Sequence, residues 1–227
     1  MQFDDQLTIK KNRHELRTQE TRAQLIEAAI ACLAENGFSG TTTAKIAARA
    51  GVTTGALHHN YDTKEELYLA VLETMSVLNT DSILPIDRAL KGGPDGLCKM
   101  VELLWKNYGS QRYWAVWEIN IGFRSNPELR RRVSESRRRF ASMFRQRLFE
   151  EGEALDPKVE EQIFEIVSVM LASIRGLFLD SLMDLPKPLI HRQLRILGES
   201  TYRSILDVME VSPGEDRQGG NCGRKPA

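Results

Sequence analysis

The sequence is short of the features that usually announce chemistry. It has three cysteines, Cys32, Cys98 and Cys222, with no CxxC pair and no histidine spacing that suits zinc. Its four histidines stand at positions 14, 58, 59 and 191, and there is no phosphate-binding glycine loop. No nucleophile–base pair and no metal-ligand set can be picked out, which argues against an enzyme and against a bound metal or cofactor. A scattered, odd set of thiols fits a reducing compartment better than a disulfide framework. Charge of one sign is not in excess: Lys+Arg and Asp+Glu number 31 each, so any attraction to a polyanion must be local. No stretch approaches 18 consecutive apolar residues, and the opening MQFDDQLTIKKNRHE has no apolar core. No membrane span and no secretory leader are therefore expected, and a cytoplasmic location is.

What is present is helical periodicity. Over residues 16–36, Leu25, Ala29, Cys32 and Leu33 share a face, with Ile26 and Ile30 beside them. Asn36-Gly37 predicts the end of that helix, with Gly37 as a left-handed cap. Thr43 predicts the N-cap of a short helix over 44–50, Gly51 ends it, and a third helix runs from about 54 to 60. Thr63-Lys64-Glu65-Glu66 has the form of a capping box and opens a longer helix to about Asp81, after which Pro85 interrupts. GGPDG, residues 92–96, is a loop signal. Further helices are expected over 95–108, 111–124, 127–150, 157–183 and 189–209, two of them opened by Asn126-Pro127 and Asp156-Pro157. The tail, SPGEDRQGGNCGRKPA (212–227), predicts disorder. The chain reads as all-α, with about nine helices and no convincing strand.

The stretch TAKIAARAGVTTGALHHNYDTKEEL, residues 43–67, carries the most information. Two short helices joined by a tight turn containing glycine form the helix-turn-helix pattern. Ile46, Ala50, Val52 and Leu57 supply a small shared core, Ala47 is small enough to be crossed by the second helix, and Gly51 supplies positive φ. The second helix of such a pair enters the major groove of DNA by its N-terminal end. That explains the small residues Thr53, Thr54, Gly55 and Ala56, and the donors His58, His59, Asn60 and Lys64 that follow. Adjacent histidines on a helix point about 100° apart, so His58 and His59 do not suit a metal; the bland alternative is a solvated surface. From residue 10 to 64 there are eight Lys/Arg against five Asp/Glu. The leading KKNRHELR reads equally well as an arm laid along a groove or as a solvated terminus.

Residues 20–67 closely resemble the DNA-binding domain of TetR-type transcriptional regulators. FSGTTTAKIAARAGVTTGALHHNYDTKEEL matches the family pattern of Gly-aromatic, Thr-Thr, Ile-Ala, Ala-Gly-Val-Ser, Gly-x-Leu-Tyr, His-Phe and Lys-Glu-x-Leu. Two positions depart from it: His58 stands where the family usually has Tyr, and Asn60 where it usually has His. The resemblance implies that Thr42 and Thr43 bind phosphate, and that Thr53, Thr54, Gly55, His58, His59, Asn60 and Lys64 line the recognition surface. It also implies four segments: an N-terminal arm (1–13), a helix-turn-helix domain (14–63), a helical effector-binding and dimerisation domain (64–211) and the tail. The implied partners are double-stranded palindromic DNA, a second copy of the chain and a small-molecule effector that releases the DNA. A ligand-independent repressor or an activator of the same fold is the alternative, with a helical enzyme and a protein-binding adaptor as more distant rivals.

Residue pattern supports two further expectations. Residues 163–182, IFEIVSVMLASIRGLFLDSL, carry an apolar band too wide for one buried stripe, which suggests a dimer interface at Met170, Ile174, Leu177, Phe178 and Ile205. Ala172, Ser173 and Gly176 would allow close approach. All three tryptophans fall within residues 105–117. An effector pocket is therefore expected around Trp105, Tyr108, Trp114, Trp117, Phe144 and Phe164, with Glu118, Asn120 and Arg175 as candidate polar anchors. Tyr113, Phe123, Phe140 and Met143 lie in the same region. Such a pocket suits an apolar or aromatic molecule, or a cation held by ring faces. The arginine run 130–139 reads as a solvated helix face with pairs such as Glu135–Arg139.

Overall fold

Helix boundaries in this chain follow side chains that satisfy the orphan N–H groups of a first turn. Thr42 accepts from Lys45 N, Thr53 from Ala56 N and Thr63 from Glu66 N, opening α2 (Thr43–Ala50), α3 (Thr54–Asn60) and α4 (Lys64–Asp81). The cap of α2 is thus Thr42 rather than Thr43. Before them runs α1 (Gln2–Gly40), broken at Gly37, whose φ of 69° and ψ of 177° combine positive φ with extended ψ in place of the left-handed cap expected. The remaining helices are α5 (Ile86–Lys91), α6 (Gly93–Tyr108), α7 (Gln111–Gly122), α8 (Pro127–Leu148), α9 (Pro157–Ser181) and α10 (Lys187–Glu210), with a 3-10 turn at Phe123–Ser125. Ser110, Asn126 and Asp156 cap α7, α8 and α9.

This computed structural model describes the backbone of residues 2–182 and 186–210 and the side chains from Glu15 onward. Among the described residues it is all-α, with ten α-helices and no strand. The backbone of α1 is helical from Gln2, where an arm was expected over 1–13. The side chains of residues 1–14 and the tail 212–227, with Cys222, lie outside the described residues.

The helix missing from the expected set is α5, and its reason lies at the glycines. GGPDG does not form a loop: α6 starts at Gly93, directly after α5. A Cβ on Gly96 would lie 2.1 Å from the Ala89 carbonyl oxygen. The glycines let two helices meet at a corner, a close approach that composition alone reads as a turn.

The fold has a head, α1 to α3, and a body, α4 to α10. The face of α1 foreseen from periodicity is buried: Leu25, Ala29 and Leu33 are fully inside and Cys32 nearly so. In the body, α10 packs on α6 and α9, and α4 on α8. The arginine run of α8 is not simply solvated. Arg132 pairs with Glu66 and Arg139 with Glu73, both on α4, while Glu135 takes Arg131 instead of Arg139. The strongest apolar helix is α9, which by length and composition passes the test for a membrane span, with mean hydropathy 1.6 over 18 residues. The expectation that nothing here could span a bilayer is corrected to that extent. One side of α9 packs on α6 and α10.

Candidate nucleic-acid interface and internal cavity

The head is assembled from a few short-range constraints. Gly51 adopts φ 70° and ψ 25°, and a Cβ there would meet nothing within 4 Å, so the left-handed backbone alone explains the glycine. The turn closes through Val52 N donating to the Ala47 carbonyl at 3.0 Å. Ile46, Ala47 and Leu57 are buried, and Ala50 and Val52 pack against them. This inward face leaves Thr53, Thr54, Gly55, His58 and His59 exposed on one side of α3, next to exposed Thr42 and half-buried Thr43. A Cβ on Gly55 meets only Thr53 Oγ1, at 3.8 Å. No contact among the described residues calls for glycine at that point.

Two residues expected on this surface are turned to other work. Asn60 donates from Nδ2 to the Ala56 carbonyl at 2.8 Å, and its Oδ1 is buried without a partner. Lys64 donates from Nζ to the Thr41 carbonyl at 2.7 Å and lies 5.1 Å and 5.2 Å from the ring centroids of Phe38 and Tyr68. Burial lowers its pKa. Thr41 is itself buried, its hydroxyl donating to the carbonyls of Cys32 and Gly37. Lys64 therefore ties the start of α4 to the turn between α1 and α2. An exposed cation on the preceding helix is Lys45, on the first turn of α2, with Nζ donating to the Gly40 carbonyl. Its place next to Thr42 and Thr43 in sequence was the available signal.

The junction of head and body centres on Phe38. Its N–H donates to Glu118 Oε2 at 2.7 Å. Its ring meets Phe123 edge-on at 5.7 Å and Tyr68 at 5.5 Å. A Cβ on Gly122 would sit 2.3 Å from that ring, so α7 approaches α1 as closely as it does because residue 122 is glycine. Glu118, expected as an effector anchor, instead holds the backbone just past the break in α1.

Inside the body a cavity of about 250 Å³ lies between α4, α6, α7, α8 and α9. Tyr108 and Arg175 line it, as do Tyr113, Asn120 and Phe140. α4 contributes Leu72, Met75, Ser76 and Asn79, and α8 contributes Val133, Ser136 and Arg137. Burial pushes the Tyr108 hydroxyl pKa up, and the Arg175 guanidinium beside it works against that rise. Asn79 is 4% exposed and its Oδ1 has no hydrogen-bond partner.

The other residues assigned to the pocket do not line this cavity. Trp105 folds over Gly109. Trp114 packs near Phe178, and Phe144 sits between Phe140 and Phe164, the last lying under Arg145. Trp117 is half-buried, with its indole N–H unpartnered. The α4 residues 72, 75, 76 and 79 fall on one helical face, i, i+3, i+4 and i+7, a pattern that was readable.

The residues assigned to the dimer interface also need correction. Met170, Ile174, Phe178 and Ile205 are at most 3% exposed within the single chain and cannot form an outer contact surface, whereas Leu177 is half-buried. The outward side of α9 and α10 carries Val169 (65% exposed), Ala172, Gly176 and Ile196 (64%).

The sequence model for bacterial regulatory proteins of the tetR family matches residues 25–71, which span the end of α1, both helices of the turn motif and the start of α4. Residues 25–71 therefore carry the DNA-binding signature of the TetR family. The chain is 47% identical over 57 residues to the HTH-type transcriptional regulator TtgR of Pseudomonas putida, a match covering 25% of this chain and 27% of that relative's length. It is 22% identical over 195 residues to the HTH-type transcriptional repressor AcnR of Corynebacterium efficiens, covering 85% and 92% of the two chains. The TetR-family fold extends through the body: a solved structure of a TetR-family regulator from Mesorhizobium loti superposes with a TM-score of 0.60 at 17% identity, over 85% of this chain and 98% of that one.

Proposed function

We propose that this chain is a dimeric transcriptional repressor of the TetR family that binds a palindromic DNA operator and releases it when a small molecule enters the body. The observation that carries the DNA reading is α3. It has exposed small residues at its N-terminal end, a glycine that no contact among the described residues calls for, and two exposed histidines on its next turn. Thr42, Thr43 and Lys45, at the start of α2, serve as phosphate contacts, where a helix start also offers backbone N–H groups. His58 and His59 donate to phosphates or base edges, while Asn60 and Lys64 hold the head together.

A single helix-turn-helix binds weakly, and two on a twofold axis read half-sites about 34–36 Å apart. The outward stripe of Val169, Ala172, Gly176 and Ile196 supports a pairing through α9 and α10. A Cβ on Gly176 would meet nothing within 4 Å among the described residues, which leaves room for a partner helix to approach. The repressor sense follows AcnR, whose name is that of a repressor.

Release has two mechanical routes. A ligand in the cavity presses on α4 through Met75 and Asn79, and on α7 through Val116 and Asn120. α4 is tied to the head by Lys64, and α7 by Glu118 and Gly122 against Phe38. A coupling of about 1–3 kcal/mol would weaken operator binding about 5–150-fold.

The test is a DNA-binding titration against salt, with the mass of the free protein measured alongside. A steep fall of affinity with salt and a dimeric mass support the proposal. Salt-independent or absent binding would remove it and favour a protein-binding adaptor.

A further inference from the structure

We propose that the cavity in the body takes an organic acid: a carboxylate with an aromatic or alicyclic body and one further hydrogen-bonding group, such as a hydroxyl. This deepens the effector reading above and rests on it.

The charge of the wall carries the proposal. Two guanidinium groups, Arg137 and Arg175, line the cavity, and no Asp or Glu does. Among the described residues neither arginine is ion-paired; Arg130 and Arg138 are also unpaired but line no part of this cavity, whereas Arg131, Arg132, Arg139, Arg145 and Arg147 hold carboxylates. Arg175 is half-buried, with the Tyr108 hydroxyl as its polar neighbour. A half-buried cation without a counter-ion is costly unless something supplies the charge. A guanidinium fork matches the planar carboxylate in two parallel bonds. A cationic ligand on the ring faces, allowed by composition alone, would meet two like charges here.

The second observation is Asn79. Its amide is almost fully buried, lines the cavity, and leaves Oδ1 without a donor. Oδ1 itself is closed off even from water, so only the rest of this side chain can meet a ligand hydroxyl. Between these polar points lie Leu72, Met75, Val116, Val133 and the rings of Tyr113 and Phe140, which make an apolar slot. The volume of about 250 Å³ has room for at least one ring with a short substituent.

The test is calorimetric titration of the full chain, without DNA. The ligands are hydroxybenzoic and hydroxycinnamic acids, each paired with its methyl ester and its amine analogue. The expected result is saturable binding of at least one acid, with its ester weaker by about 10- to 100-fold and its amine weaker still. Arg175→Met and Arg137→Gln each weaken the acid by about 10-fold or more and leave the ester nearly unchanged. Arg137 is exposed at the cavity rim, so its variant keeps the test decisive if Arg175→Met does not fold. Equal binding of acid and ester, unchanged acid binding by the folded arginine variants, or binding of none of the acids overturns the proposal. Operator release by the same acids is measured separately. An acid that binds as expected but leaves the operator complex intact preserves the carboxylate site and removes the release mechanism instead.

Discussion

A Cβ added at Gly55, in the head, meets nothing closer than 3.8 Å, while one added at Gly122, in the body, would sit 2.3 Å from the Phe38 ring. Both glycines are on helices, where glycine costs roughly 1 kcal/mol relative to alanine. At Gly122 the cost is answered inside the chain, because α7 and the end of α1 could not otherwise touch. At Gly55 no contact among the described residues answers it, and the proposed DNA contact of α3 would supply the reason. On the proposed DNA reading the head is shaped for a partner outside the chain, while the junction is shaped by its own packing.

Substitutions sharpen that contrast. The largest effect is expected from Gly122→Val, which drives a branched side chain into Phe38 and should cost about 1–3 kcal/mol of stability. Thermal unfolding would show it as a fall in Tm, and an unchanged Tm would mean that the Phe38 contact is not tight in solution. Next is Glu118→Ala, which removes the acceptor for Phe38 N–H and should cost about 1–2 kcal/mol. In this variant the ligand should still bind while its effect on operator affinity shrinks; full retention of coupling would remove α7 from the route. Gly55→Ala should leave unfolding unchanged or raise stability by about 0.5–1 kcal/mol, yet weaken operator binding about 10-fold. Equal operator affinity in that variant would break the argument from glycine. The smallest effect concerns Glu66, whose pKa is lowered from 4.5 by the Arg132 side chain. A carboxylate with a depressed folded pKa stabilises above its ordinary value and loses that contribution as pH falls through the folded one. Arg132→Gln should therefore flatten the acid limb of stability below about pH 4.5 by a few tenths of a kcal/mol, since the pair is partly exposed. Denaturant midpoints across that range would measure it.

The same contrast explains what was legible in the sequence. Ile46, Gly51 and Leu57 act within one turn motif, where each residue's duty follows from neighbours a few positions away. The cap Thr63 was readable for the same reason, Thr42 was missed by a single position, and the cap at Thr53 emerged only from the structure. In the body, duty depends on which helix lies across. Trp105, Trp114 and Trp117 look like pocket residues in composition, but their α6 and α7 positions face core or junction. Met75 and Asn79 look ordinary and yet line the cavity. Met170 and Ile174 read as interface residues because they are apolar, but strongly apolar positions are the ones a protomer first buries in its own core. The outward positions of α9 are smaller and less distinctive. Glu118 and Lys64 are polar residues whose partners, the Phe38 N–H and the Thr41 carbonyl, are backbone groups, which side-chain patterns do not reveal.

The measurement that tests the central claim most directly is selection of genomic DNA fragments by the full chain at moderate salt, followed by footprinting of the enriched fragments. The account predicts a palindromic footprint with two protected half-sites about one helical turn apart, weakened in Gly55→Ala. Sequence-independent protection, or a footprint that Gly55→Ala leaves unchanged, would contradict the assignment of α3 as the surface that reads DNA.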